Sequence, residues 1–487
     1  MKMTAIMQRI RGGRCVVLGY GISNRPLVPW LIAHGAGTVG VHDQRTQAQM
    51  EADGDLSVLR GMGIEPVCGA GYADDLGEAD VIFRSPGIRP DILGIRAAVA
   101  RGAVLTSEME LFLDLTEATV IAITGSDGKT TTTTLTSLFL KAQTEADGRG
   151  RVYLGGNTGT PLLPLADSMT ANDYAVVELS SFQLMTVRHA PARAAITNIT
   201  PHHLNWHPCM DEYVEAKTRI CTSEGLTRAV LNLGNGYTRA IGAFLNAPVT
   251  WFSADEAPWN TPRPRYKSED ACVYERNGVI CLRDGAGEHP ILSTDRIRLP
   301  GRHNVENYMT AIALTAGLVT PDTVGQVADT FTGVPHRLEF VRSLRDVRYY
   351  NGSIDSSPNR ACAALRAMRE MNERQGRPDP IVICGGQDKH IPFDQLAEGL
   401  CAYAKAVVLT GEARGQILAA LHACAAYDPD KLPVTVIPDY ITAMREACHM
   451  AAPGDTVLLS PACTSFDAFR NFEERGEVFR DIVMALE

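Results

Sequence analysis

The 487-residue chain predicts an α/β fold built around mostly parallel sheets, and three observations carry that expectation. Apolar, β-branched runs alternate with longer helix-period stretches, the pattern of strands joined by crossover helices. These units fall into three successive groups along the chain. A glycine-rich turn of phosphate-binding type stands between a strand and a helix at the head of the second group. Because the chain exceeds what one ordinary core can hold, the groups are read as three domains, residues 1–117, 118–333 and 334–487.

The first group contains strands at 15–18, 39–43 and 81–83 and closes near 115–117. Gly19-Tyr20-Gly21-Ile22-Ser23 follows its first strand like a Rossmann-type turn. The G-x-G-x-x-G pattern is incomplete, because position 24 is asparagine, so a nicotinamide dinucleotide reading has little support. The second group has strands at 119–123, 174–178, 194–198 and 229–232. Residues 253–299 differ, being rich in Pro, Asp and Arg. Asn277-Gly278 between two apolar runs predicts a tight hairpin there, since both residues accept positive φ, so the segment is read as an antiparallel addition. A helix is expected over 304–318. The third group places strands at 347–351, 381–384, 406–410, 434–437 and 456–460.

Composition narrows the classes of function. With 45% hydrophobic and 21% charged residues, the chain has the balance of a packed soluble protein. A net charge of −10 argues against nucleic-acid binding, which needs dense cations to displace counterions. The twelve cysteines are scattered with no C-x-x-C pair, so neither a thiolate zinc site nor a dithiol redox site is predicted. Residues 1–14 carry Lys2, Arg9, Arg11 and Arg14 without an apolar core, unlike a signal peptide. No run approaches ~18 consecutive apolar residues. The expectation is a cytoplasmic protein, acting as a monomer, with neither membrane nor nucleic acid as partner.

The chemistry is concentrated in Thr124-Gly125-Ser126-Asp127-Gly128-Lys129-Thr130-Thr131, entered by the strand Ile121-Ala122-Ile123. Glycines let the backbone approach phosphate, helix N-terminal N–H groups point at it, and Lys129 adds charge. Thr130 or Thr131 can place a hydroxyl on Mg²⁺. Position 123 is isoleucine where the standard phosphate loop has glycine, so a plain strand–helix turn is the competing reading. Glu178, at the end of Tyr174-Ala175-Val176-Val177, is suited to hold the metal ion of a nucleotide. Taken alone it reads equally well as a strand-terminal surface carboxylate.

These residues resemble one family. The loop 124–131, Gly155-Gly156-Asn157-Thr158-Gly159 and Glu178-Leu179-Ser180-Ser181-Phe182-Gln183-Leu184 are similar to the central domain of Mur ligases. Leu459-Ser460-Pro461-Ala462-Cys463-Thr464-Ser465-Phe466-Asp467 and Asn471-Phe472-Glu473-Glu474-Arg475-Gly476 are similar to that family's last domain. The resemblance covers nearly the whole chain. It implies a Rossmann-like UDP-sugar-binding domain, a central P-loop-type ATPase domain and a Rossmann-like amino-acid-binding domain. It also implies ATP-dependent addition of D-glutamate to UDP-N-acetylmuramoyl-L-alanine through an acyl phosphate, in peptidoglycan precursor synthesis.

By the same resemblance Lys129 binds the transferred phosphate, and Thr130 and Glu178 hold one of two Mg²⁺ ions. His203, in Thr200-Pro201-His202-His203-Leu204-Asn205-Trp206-His207, and Lys217, carbamylated by CO₂, serve the second. Three histidines within this segment would suit zinc only with a further ligand type, which it lacks. Without the resemblance Lys217 reads as a solvated helix residue. Asn304, Asn307, His336 and Arg337 are implied at ATP; a helix cap is the bland reading of Asn304. Lys389, Ser465 and Phe472 are implied at the incoming glutamate. Gly21, Ile22, Ser23, Asp43, Arg45, Ser85 and Asn157 complete the substrate set.

Three positions depart from the family pattern. Gly352 stands where the family has an aspartate near the nucleotide ribose, Ile354 where it has a lysine, and Asp127 where asparagine is usual. Asp355 is the candidate replacement for the carboxylate. The rival readings are a sibling ligase using L-glutamate or another amino acid, and a nucleotide-binding protein without turnover.

Overall fold

The computed structural model describes residues 4–157, 159–189, 191–204, 206–222, 225–254, 270–388 and 391–487. Packing divides the chain into two compact units, Met1–Leu292 with Glu306–Val324, and Ser293–Val305 with Gly325–Glu487. Among the described residues the strands form three sheets, two in the first unit and one in the second.

The first sheet comprises β1 (Arg14–Leu18), β2 (Thr38–Asp43), β3 (Val67–Cys68), β4 (Val81–Arg84) and β5 (Val104–Thr106), ordered β3-β2-β1-β4-β5 and wholly parallel. Cys15 to Leu18 are fully buried, as expected for a strand covered on both faces. The chain leaves β1 for β2 on one side and returns to β4 on the other. That reversal opens a crevice beyond the C-terminal end of β1, where ligands of such sheets bind.

The central sheet holds β6 (Thr119–Thr124), β7 (Val152–Gly156), β8 (Tyr174–Glu178), β9 (Arg193–Ile196), β10 (Arg228–Asn232), β11 (Val249–Ser253), β12 (Ala271–Arg276), β13 (Val279–Asp284) and β14 (Gly287–Ser293). Their order is β14-β13-β12-β11-β10-β9-β6-β8-β7. β6 lies between β8 and β9, all parallel, with Ile123 opposite Glu178 on one side and Ala195 on the other. The C-terminal ends of three strands therefore meet where the phosphate loop begins. The expected hairpin is present: β12 and β13 are antiparallel across Asn277 (φ 52°) and Gly278 (φ 76°). It extends the central sheet, because β11 pairs with β12.

The third sheet contains β15 (Glu339–Leu344), β16 (Val347–Asn351), β17 (Ile381–Gly385), β18 (Ala406–Thr410), β19 (Val434–Val436) and β20 (Thr456–Leu459), in the order β15-β16-β20-β17-β18-β19. Apolar clusters line both of its faces, one around Leu365, Leu396 and Leu409, the other around Ile383, Met444 and Phe479.

Strands β3, β5, β7, β11 and β15 have no counterpart in the sequence reading. β3 has two residues, β5 has three, β7 ends in two glycines, and antiparallel β15 mixes charge into Glu-Phe-Val-Arg-Ser-Leu, so these four present no sustained apolar run. β11, Val-Thr-Trp-Phe-Ser, does present a wholly buried one, at the edge of the segment read as an addition. One apolar core joins Cys15 and Val17 of the first sheet to Val120, Val177 and Leu231 of the central sheet. The first two sequence groups thus pack as a single compact unit. Among the described residues no helix is long and apolar enough to cross a membrane.

Candidate active site

The phosphate loop depends on two glycines. Gly125 (φ 151°) follows β6, and a Cβ there would stand 1.8 Å from Thr197 Oγ1. Gly128 (φ 79°) caps the helix Lys129–Asp147, and a Cβ on it would stand 2.3 Å from Asn307 Oδ1. Only glycine tolerates that closeness with positive φ. Both loop N–H groups at 126 and 127 donate to Asn198, to its carbonyl and side-chain oxygen respectively, each at 2.9 Å. Ser126 Oγ shares a hydrogen bond with Tyr213 Oη at 2.9 Å. The loop is thereby fastened to the segment after β9, with the positive end of a 19-residue helix behind it.

The ionisable residues expected at the phosphates converge here. Lys129 Nζ folds over the loop and donates to the carbonyls of Gly125 (3.0 Å) and Ser126 (2.9 Å). Thr130 follows in the first helical turn, and Thr131 is buried. Glu178 is 1% exposed at the end of β8 and accepts from Asn157 Nδ2 at 2.9 Å, while Asn157 N–H donates to its carbonyl at 2.7 Å.

Lys217 lies on the helix Met210–Thr222, only 2% exposed. Its Nζ donates to Gly125 O at 2.6 Å and Thr124 Oγ1 at 3.3 Å, and sits over the Tyr213 ring. Burial, and secondly the charge of Lys129, hold its pKa well below the ordinary lysine range, which favours a neutral amine. His203 adopts φ 57° and packs its ring edge-on against Phe182. Burial first, with the charge of Lys129 among the lesser causes, lowers its pKa, so it too favours the neutral form.

The three nearby histidines have different surroundings. His207 has both ring nitrogens engaged, with Glu212 and Ser181, and His202 faces Asp127 at 3.9 Å. Among the described residues no group of three or more His, Cys, Asp or Glu side chains could hold a metal ion. The oxygen donors the site offers are a buried carboxylate at Glu178 and the hydroxyl of Thr130 in the first turn of the helix; Lys217 would add one only as a carbamate formed with CO₂. Oxygen donors of this kind fit a hard cation.

The crevice beyond β1 is a cavity of about 580 Å³, lined by Gly21, Ile22, Asp43, Arg45, Ser85 and their neighbours. Ser23, which precedes the helix Asn24–Ala33, is not part of that lining. Asp43 accepts the Tyr20 N–H at 2.7 Å. Arg45 is committed to Asp43, Asp53 and Asp55 within 3.0 Å, so it braces the wall.

The two asparagines take different places. Asn307 faces the phosphate loop and Thr132, whereas Asn304 Nδ2 donates to Pro300 O at 2.6 Å, a local tie at the start of its helix. In the second unit His336 (φ 64°) and Phe472, assigned separately to nucleotide and glutamate, are in edge-on ring contact at 6.0 Å. Arg337 is the next residue, and Ser465 is buried with its carbonyl accepting from Ala468 and Phe469. Lys389 lies outside the described residues. A Cβ on Gly352 would stand 2.7 Å from Asp355 Oδ2, so the Asp355 carboxylate fills the space in front of that glycine. It accepts from Ser460 Oγ at 2.9 Å, and burial pushes its pKa up to about 7.

Sequence reasoning missed Thr197, Asn198 and Tyr213, which fasten the loop. Tyr213 was findable, one helical turn before Lys217; Asn198 carried no signal beyond ending a strand.

Two family models match the chain. Residues 123–315 match the Mur ligase middle domain, and residues 336–463 match the Mur ligase glutamate ligase domain. The chain is 38% identical over 485 residues to the UDP-N-acetylmuramoylalanine–D-glutamate ligase of Ruminiclostridium cellulolyticum, covering 99% of this chain and 98% of that protein. It is 40% identical over 476 residues to the enzyme of that name from Symbiobacterium thermophilum, covering 97% and 98%. Among solved structures, the UDP-N-acetylmuramate-alanine ligase MurC of Thermotoga maritima shares the fold, with a TM-score of 0.55 at 18% identity, over 97% of this chain and 99% of that one. With two of the family's domains matched in order and full-length relatives well above 30% identity, the chain belongs to the Mur ligase family.

Proposed function

We propose that this protein is an ATP-dependent ligase that joins D-glutamate to UDP-N-acetylmuramoyl-L-alanine in peptidoglycan precursor synthesis. The observation that carries the reading is the gathering of Lys129, Glu178, His203 and a buried Lys217 around one glycine loop, in a chain similar along its length to enzymes named for that reaction.

The carboxylate of the alanyl precursor attacks the γ-phosphorus of ATP, forming an acyl phosphate and releasing ADP. The glutamate amine then attacks the acyl carbon, the C–O bond to phosphate breaks, and the amine loses a proton as the amide forms. Both reactants are anionic, so cations must bring them together. Lys129 supplies one at the transferring phosphoryl, and the loop N–H groups and helix N-terminus supply fixed dipoles. Lys217, as a neutral amine, can combine with CO₂ and lose a proton to give a carbamate. Thr130, Glu178, His203 and that carbamate would hold Mg²⁺, two ions in all, which when bound offsets charge between the reactants.

In this reading residues 1–117 bind the UDP-sugar, in the crevice of Gly21, Ile22, Asp43, Arg45 and Ser85. Residues 118–333 bind ATP, with Asn307 behind the loop, and residues 334–487 bind glutamate through Lys389, Ser465 and Phe472, with His336 and Arg337 toward the nucleotide. The enzyme works as a cytoplasmic monomer, where its nucleotide substrates are made.

The test is phosphate release from ATP with UDP-N-acetylmuramoyl-L-alanine present and D-glutamate, L-glutamate or neither added. Release that requires D-glutamate, with a product heavier by one glutamyl residue, is expected. Release only with L-glutamate would overturn the stereochemistry, and none from folded protein would overturn the proposed reaction.

A further inference from the structure

We propose that His207 is a positioning residue that sets the placement of His203 relative to Glu178. The proposal rests on the reading that those two side chains hold a divalent cation. His203 is a non-glycine residue in the left-handed region, a conformation that persists only where its surroundings determine it. Its carbonyl accepts the N–H groups of Trp206 and His207, each at 2.9 Å. Whatever fixes His207 therefore fixes the turn that carries His203.

His207 is fixed from both sides. Its side chain is fully buried, with Nδ1 2.8 Å from Glu212 Oε1 and Nε2 2.9 Å from Ser181 Oγ. An ionised carboxylate only accepts, so Nδ1 carries the proton and Nε2 accepts from the Ser181 hydroxyl. Ser181 opens the short helix three residues after Glu178. One imidazole thus ties the segment that follows one proposed metal ligand to the segment that follows the other. The Phe182 ring fills the space between, against His203, Trp206 and His207 at 5.0, 4.5 and 5.7 Å.

The support reaches the sugar-nucleotide crevice. Arg89 grips Glu212 with both Nη atoms, at 3.1 and 2.9 Å, and donates to Trp206 O at 2.9 Å. Trp206 Nε1 donates back to Gly87 O at 3.0 Å, and Arg84 Nη2 donates to Phe182 O at 2.7 Å. Gly87 lines the cavity, so its loop and the His203 turn share one set of hydrogen bonds. No metal ligand is added by this arrangement; its effect is geometric, like the outer-shell partners that orient metal ligands.

The experiment is Mn²⁺ binding to the full chain with a non-hydrolysable ATP analogue, read by the EPR signal of free Mn²⁺. His207→Phe is expected to weaken Mn²⁺ about tenfold or more, the range for lost outer-shell partners. His207→Asn, whose amide can still donate to Glu212, is expected to recover part of that loss. Glu212→Gln, which preserves volume, should move affinity the same way by a few-fold, and it carries the test if His207→Phe does not fold. Wild-type Mn²⁺ affinity in these variants alongside weakened binding in His203→Ala overturns the positioning role. Wild-type affinity in His203→Ala as well overturns the metal reading beneath it.

Discussion

Replacing Lys217 by methionine tests the least expected property of the site, a buried lysine that favours its neutral form. Methionine fills similar volume and cannot take up a proton. The side chain is 2% exposed, and burial followed by the charge of Lys129 depresses its pKa well below the usual value. The direction of the pH effect follows. Above the unfolded-chain pKa of ~10.4 the amine is neutral in both states. As pH falls below that, the unfolded chain binds a proton that the native amine resists, so wild-type stability declines by ~1.4 kcal/mol per pH unit. The decline ends where the native amine itself titrates. Methionine lacks this dependence, so the stability of the variant relative to wild type rises by ~1.4 kcal/mol for each unit of acidification below about pH 9.5. The constant offset, from the lost bonds to Gly125 O and Thr124 Oγ1, does not affect this slope. Urea unfolding in CO₂-free buffer followed by tryptophan fluorescence is the assay. Trp30, Trp206, Trp251 and Trp259 all precede residue 293, so the signal reports the first unit. Parallel stability profiles for the two proteins would mean that native Lys217 is charged, and the carbamate chemistry would fall with the neutral amine.

Gly125→Ala drives a Cβ to 1.8 Å from Thr197 Oγ1, whose hydroxyl already donates to Asp127 O at 2.6 Å. The loop must shift, and calorimetry should show ATP binding weakened at least about tenfold, with a stability loss of about 1–3 kcal/mol; unchanged ATP affinity would separate this loop from the phosphates. Lys129→Ala should lower phosphate release by a factor on the order of 100 or more, the scale of losing a donor at a developing charge. Turnover near wild type would remove Lys129 from the chemistry. Lys217→Ala should be inactive in the same assay and partly restored by formate or acetate, whose oxygens can occupy the place of a carbamate. Full activity without them would make Lys217 a purely structural residue.

Much of this protein was legible locally. A buried parallel strand writes itself as an unbroken apolar run, which is why β1, β6, β8, β17, β18 and β20 were found from sequence. Asn277-Gly278 announced its hairpin because two adjacent positive φ values exclude most residues. The strand, glycine loop and helix around Lys129 were likewise a short-range signal. Strands such as β3 and β15 were not legible, because neighbouring strands, not their own side chains, hold them in the sheet.

Burial and juxtaposition belong to the other category. On sequence alone Lys217 was a solvated helix residue; docking of the helix Met210–Thr222 beneath the end of β6 buries it and lowers its pKa. His207 read as one of three histidines in a loop, and only the fold gave it Glu212 and Ser181 as partners. Asp355 lay three residues from the position it fills, yet its carboxylate turns back to face Gly352. By itself the sequence determined the alternation of elements, the turn chemistry and the residue types available to bind phosphate and metal, since these follow from dihedral preference and side-chain chemistry between near neighbours. The tertiary structure alone decided which of those residues lose water and whose charge they feel, because desolvation and Coulomb energy depend on atoms brought together from distant parts of the chain.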